Sequence, residues 1–68
     1  MVDNDIDLVS EGLMTVRKAA EFLGLSRSTV YALMESGELP FAKIGKARRI
    51  PRRAVAEFAA SRMVGSHG

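Results

Sequence analysis

Apolar residues recur through the middle of the chain at helical spacing. Val16, Ala19, Ala20 and Leu23 stand at offsets of 0, 3, 4 and 7, the spacing of one buried stripe, and predict a helix from Val16 to Leu23. Thr15 stands before it with a hydroxyl suited to an N-cap. Gly24 follows, a residue that tolerates the positive φ found just past helix ends, and Leu25 is expected to return an apolar side chain to the core. Ser26 then caps a second predicted helix from Arg27 to Ser36, with Val30, Leu33 and Met34 as its stripe and Gly37 at its stop position. Pro40 prevents any continuation. Beyond it the period changes: Phe41–Ile44 and Arg48–Ile50 alternate in character around Gly45-Lys46-Ala47, predicting a tight β-hairpin with three loop residues and a basic tip. Pro51 suits the first turn of a last helix in which Val55, Phe58, Ala59 and Met63 share one side.

The order helix, turn, helix, hairpin, helix gives a fold class that is mainly α with a small β-hairpin. Residues 1–12 mix isolated apolar residues with Asp, Asn, Ser and Gly without a period and read as a flexible acidic leader; residues 65–68 read as a flexible tail. The folded domain is expected over 13–64. At 68 residues the chain can build only one domain around one modest core. Two helices joined by three or four residues with a glycine in the turn must cross steeply, which presents the second helix on the surface. Ala20, Gly24 and Val30 carry that geometry together: a small residue where the helices cross, a glycine at the turn, and a buried branched residue six positions on.

Charge sharpens the picture only when divided along the chain. Asp3, Asp5, Asp7 and Glu11 precede the first predicted helix, whereas all ten Lys/Arg follow Leu13, against Glu21, Glu35, Glu38 and Glu57. The formal charge of +2 therefore hides a domain with a surplus of six cations, which favours a polyanionic partner. No apolar run approaches the roughly 20 residues of a membrane span, and the acidic start is unlike a secretion signal. The absence of cysteine excludes disulfides and thiolate metal sites and is comfortable in a cytoplasmic setting. The one histidine, His67, lies in a Gly-Ser-His-Gly tail, so no metal site, no cofactor and no activated serine is expected, and no enzyme.

The segments Leu13-Met14-Thr15-Val16-Arg17-Lys18-Ala19-Ala20, Leu23-Gly24-Leu25-Ser26-Arg27-Ser28-Thr29-Val30-Tyr31, Gly37-Glu38-Leu39-Pro40 and Arg49-Ile50-Pro51 resemble the excisionase family, whose fold is related to that of MerR regulators. The likeness runs from Leu13 to Met63. It implies a winged helix-turn-helix that sets its second helix in the major groove of double-stranded DNA and its hairpin wing in the minor groove. It also implies a recombination directionality factor, which binds and bends attachment-site DNA so that an integrase excises rather than integrates, often as several copies side by side. One departure stands out, for the place of Arg48 is often aromatic in relatives.

With the apolar stripe of the second helix turned inward, Arg27, Ser28, Thr29 and Tyr31, with Ala32 and Glu35 further along, are the candidates for the major groove. Arg27 has the geometry to donate two hydrogen bonds to a guanine edge. Tyr31 suits either a phosphate or the edge of the core, whereas Phe22, Phe41 and Phe58 are expected to pack. In the wing, Lys43, Lys46, Arg48 and Arg49 are candidates for the minor groove, with Lys46 and Arg48 best placed; the plainer alternative is a charged edge that resists strand-to-strand aggregation. Thr15, Arg17, Lys18, Ser26, Arg52 and Arg53 lie at helix starts and suit the phosphate backbone. The same residues also fit a small transcriptional regulator, such as an antitoxin-like repressor, or an adaptor that docks on an integrase or toxin. The absence of a long coiled-coil helix disfavours the MerR branch itself.

Overall fold

The computed structural model describes residues 3–65, so His67 and most of the expected tail lie outside the described residues. Four helices and three strands occur among them: α1 (Asp3–Val9), β1 (Leu13–Thr15), α2 (Val16–Leu23), α3 (Arg27–Glu35), β2 (Ala42–Ile44), β3 (Ala47–Pro51) and α4 (Arg52–Ser61). The expected winged helix-turn-helix is present as a mainly helical fold with a small antiparallel sheet. No described helix is long and apolar enough to cross a membrane.

Local chemistry sets the two helices of the turn. Thr15 accepts a hydrogen bond from the Lys18 N–H at 3.0 Å and Ser26 accepts one from the Thr29 N–H at 3.2 Å, so each helix begins at its hydroxyl cap. At the end of α2, Gly24 takes φ 70°, its N–H donates to the Glu21 carbonyl at 3.2 Å, and the Leu25 N–H donates to the Ala20 carbonyl at 3.0 Å. This paired closure satisfies carbonyls that a helix end would leave open, and it turns the chain sharply enough for α3 to start three residues later.

The sheet is larger than the hairpin alone. Its order is β1-β3-β2, with Leu13↔Pro51, Met14↔Ile50 and Thr15↔Arg49 on one side of β3 and Ala42↔Arg49, Lys43↔Arg48 and Ile44↔Ala47 on the other. The hairpin loop is two residues, Gly45-Lys46, rather than three, because Ala47 pairs with Ile44. Gly45 has φ 62° while Lys46 has no positive φ, the pattern of a type II′ turn whose twist matches that of the strands it joins. Pro51 closes β3 and immediately precedes α4, instead of occupying its first turn.

Met14, Val16, Ala19, Ala20, Val30, Met34, Leu39, Ile50, Ala54 and Val55 form the buried core, joined at its margin by Leu8, Leu23, Leu33, Phe41 and Phe58. Several expectations are corrected. Leu25 is 39% exposed and Phe22 59% exposed, so neither returns to the core, and Met63 lies exposed beyond the end of α4. Phe58 is only partly buried, its ring covered by the Arg62 guanidinium at 4.5 Å. Residues 3–9, read as an irregular leader, form α1, and Leu8 packs against the core. Single apolar residues spaced by acids hide a helix too short to show a period.

Leu39, in the connection from α3 to β2, is fully buried although it stands in no helix or strand. Truncation leaves a cavity that so small a core cannot refill. Leu39→Ala is expected to lower the unfolding free energy by about 2 to 5 kcal/mol at an unchanged denaturant slope, read from urea titration.

Candidate nucleic-acid interface

Helical geometry sorts the residues of α3 by flank. Val30 and Met34 are buried and Leu33 partly so. Arg27, Tyr31 and Glu35, four apart, therefore share one exposed stripe, with Ser28 and Ala32 beside it. Thr29 falls on the opposite flank, where it lines an apolar groove with Leu23, Leu25, Leu33 and Phe58, and its Oγ1 lies 2.9 Å from the Ser26 Oγ. The hydroxyls of Ser26 and Ser28 are also in contact, at 3.1 Å. Among the four candidates for base contact on α3, the fold thus brings together Arg27, Ser28 and Tyr31 and sets Thr29 apart.

The four wing cations are likewise divided, because successive residues of a strand point to opposite faces. Lys43 and Arg48 are cross-strand partners and share the face that also carries buried Ile50; Arg49 lies on the other face, in register with Thr15 and Ala42. The Arg49 Nη1 donates to the Arg48 carbonyl at 2.9 Å. Lys46 stands exposed at the turn. Arg48 does not reach toward the tip. Its guanidinium lies 4.8 Å from the Phe41 ring centroid and 5.5 Å from that of Tyr31, and its Nη1 donates to Glu35 Oε2 at 2.9 Å. The arginine lies against two rings at the base of the wing, the kind of place an aromatic side chain would also fill.

The phosphate candidates also separate. Arg17 stands exposed in the first turn of α2, two residues after the Thr15 cap and at the opposite end of the helix from Gly24. Lys18 is about 100° further round the helix, in a groove bordered by Leu13, Thr15, Phe22 and Arg52. Arg52 lies beside Gly12, and Arg53 is held to Glu57 at 3.0 Å within α4.

Ion pairing turns these placements into an electrostatic map. Each of the four acids after Leu13 is matched to one cation: Glu21 with Lys18 at 4.0 Å, Glu35 with Arg48 at 2.9 Å, Glu57 with Arg53 at 3.0 Å, and Glu38 with Arg62. Among the residues whose side chains are described, Arg17, Arg27, Lys43, Lys46, Arg49 and Arg52 have no carboxylate partner. These six are the surplus counted from the sequence. Arg27 lies on the exposed α3 stripe, and Lys43 and Lys46 lie on the wing that Arg48 joins to that stripe. From the sequence Glu35 is a candidate for base contact and Phe41 for packing, and neither points to Arg48; the i, i+4 step from Tyr31 to Glu35 is the available sign that a carboxylate shares the exposed stripe. No group of metal-ligating side chains occurs among the described residues.

A family model described as a helix-turn-helix domain matches residues 13–63. The chain is 52% identical over 48 residues to a protein of Saccharopolyspora erythraea named "Probable excisionase", covering 71% of this chain and 49% of that protein. It is 41% identical over 54 residues to "Putative antitoxin VapB50" of Mycobacterium tuberculosis, covering 78% of this chain and 42% of the relative. It is 40% identical over 43 residues to "Putative DNA-binding protein Rv0500A" of the same species, covering 63% and 55%. The chain spans about half the length of these curated relatives. No solved structure matches it significantly.

Arg27 places a cation in the first turn of α3, where the helix dipole disfavours it, and no carboxylate among the described residues offsets that cost. Arg27→Ala is therefore expected to leave stability unchanged or raise it by about 0.5 kcal/mol in low-salt urea unfolding. A loss above about 1 kcal/mol would mean that the side chain supports the fold.

Proposed function

The chain belongs to the helix-turn-helix domain family, and on that premise we propose that it is a sequence-specific DNA-binding protein that acts as an excisionase, binding and bending attachment-site DNA so that an integrase is directed toward excision. The observation that carries the DNA reading is unpaired charge on two joined elements: Arg27 on the exposed stripe of α3, and Lys43 and Lys46 on the wing that Arg48 ties to that stripe. In this reading α3 enters the major groove. Arg27 reads a guanine edge, and Ser28 and Tyr31 add contacts along the same stripe. Lys46, at the tip of a narrow two-residue turn, enters the adjacent minor groove, where A·T-rich DNA concentrates negative potential. Arg17 and the cap of Thr15 hold the phosphate backbone, which adds affinity and salt dependence without sequence information. A bend lets both grooves be reached at once, and phosphate contacts offset its cost of a few kcal/mol. The work is done by binding and shape, as expected of a family that is not one of enzymes.

The excisionase role draws support from the relative that is 52% identical. A transcriptional regulator is the second reading, favoured by the relatives named as an antitoxin and as a DNA-binding protein. An in vitro recombination reaction with the neighbouring integrase separates the two. An excisionase raises the yield of excised product, whereas a regulator leaves that yield unchanged and occupies a promoter in a footprint.

Arg27→Ala is expected to remove about 1 to 3 kcal/mol of preference for a selected duplex over a scrambled one while leaving scrambled binding nearly intact. Lys46→Ala should weaken binding most on duplexes with A·T-rich flanks. Gel-shift titrations on both duplexes check these outcomes, and equal losses on every duplex for Arg27→Ala would remove its assigned role.

A further inference from the structure

The distal wing has little to hold its direction. Strand β1 accompanies β3 only from Arg49 to Pro51, so the rungs Lys43↔Arg48 and Ile44↔Ala47 and the Gly45-Lys46 turn extend past it as a two-stranded ribbon. Such a ribbon twists readily when nothing packs on it. Arg48 is the first residue of this overhang, and its side chain, 29% exposed, reaches α3 through Glu35 and Tyr31 and the start of the wing through Phe41. Three elements meet at one guanidinium, whose flat face suits the rings while its edge donates to the carboxylate.

The charges point the same way. Glu35 is a carboxylate on the α3 stripe that carries Arg27, where an uncompensated negative charge would repel DNA. Lys43 stands directly across from Arg48, a like-charge pair that disfavours the hairpin unless an anion intervenes. Glu35 paired to Arg48 relieves both, and the pair presents no net charge to a polyanion.

We propose that Arg48 is a positioning residue of the interface. Through Glu35, Tyr31 and Phe41 it sets the angle of the wing against α3, and so the separation of the two groove contacts, without touching DNA itself. This rests on the DNA reading above, so the test has one arm that does not involve DNA. In the full chain, Glu35→Gln, Arg48→Ala and the double variant are compared with wild type by residual dipolar couplings of the free protein. The expected result is that couplings from Lys43 to Ala47 shrink relative to those of α3 in all three variants while the β1–β3 couplings hold. The second arm is anisotropy binding to a duplex selected from a random pool by the wild type. Glu35→Gln should bind about threefold weaker although it removes a negative charge, and Arg48→Ala about fivefold weaker, losses in the range of one exposed ion pair and one stacked cation. The double variant should lose no more than Arg48→Ala, and the salt dependence of Arg48→Ala should match wild type.

Tighter binding by Glu35→Gln, with a salt slope for Arg48→Ala shallower by about one unit, would place Arg48 on a phosphate and overturn the proposal. Unchanged couplings in the free variants would overturn it as well. A wild type that selects no duplex would defeat the DNA reading, while the couplings would still report whether Arg48 orients the wing.

Discussion

Strand β3 is hydrogen-bonded along both edges, and the placement of everything that faces outward depends on that double pairing. On one edge it holds β1, the three residues that lead into α2; on the other it holds β2, the second strand of the wing. Ile50, fully buried near the end of β3, meets Met14 across the first pairing and joins the core that α2, α3 and α4 share. The helix-turn-helix and the wing are therefore anchored to one strand rather than to a flexible connection. A shift of one residue in this register would exchange the faces of β3, exposing Ile50 and turning Arg48 away from α3, so burial of the core also fixes which face of the wing meets α3.

With the scaffold set, charge divides it into structural and available parts. The acids after Leu13 each bind one cation, and three of those cations lie away from α3 and the wing, Lys18 on α2, Arg53 on α4 and Arg62 at the C-cap of α4. Exposed pairs of this kind contribute only a few tenths of a kcal/mol each. Their larger consequence is where they leave the surplus. Arg27, Lys43 and Lys46 stay unpaired, and Glu35, the one carboxylate on the α3 stripe, is already matched to Arg48. Specific recognition needs such an arrangement, because phosphate contacts give attraction but only side chains held at defined positions can read base edges.

Much of this was legible in the residues. The boundaries of α2 and the start of α3 follow from hydroxyl caps, helical spacing and Gly24, each a local signal with a local cause. Strand β1 was not legible: three residues carry no period, and their strand character comes from pairing with residues 49–51, far along the chain. Leu25 and Phe22 were misplaced for a related reason, since local hydrophobicity does not reveal how much of a small domain can be covered from outside. In the candidate interface, Arg27, Ser28 and Tyr31 could be found from the helix stripe alone. The separation of Thr29, Arg48 and Arg49 from the other candidates required the flank of α3, the parity of β3 and the presence of Phe41, which only the assembled fold supplies.

The central claim is that the exposed stripe of α3 and the tip of the wing engage one duplex together. Amide chemical shifts followed while a duplex is titrated into the isotopically labelled protein address it most directly. The account predicts that the shifts of Arg27 to Tyr31 and of Gly45 and Lys46 move in concert, with one binding isotherm, while those around Phe58 stay still. Shifts confined to the groove of Lys18, Phe22 and Arg52, or a stationary Arg27 to Tyr31, would contradict it.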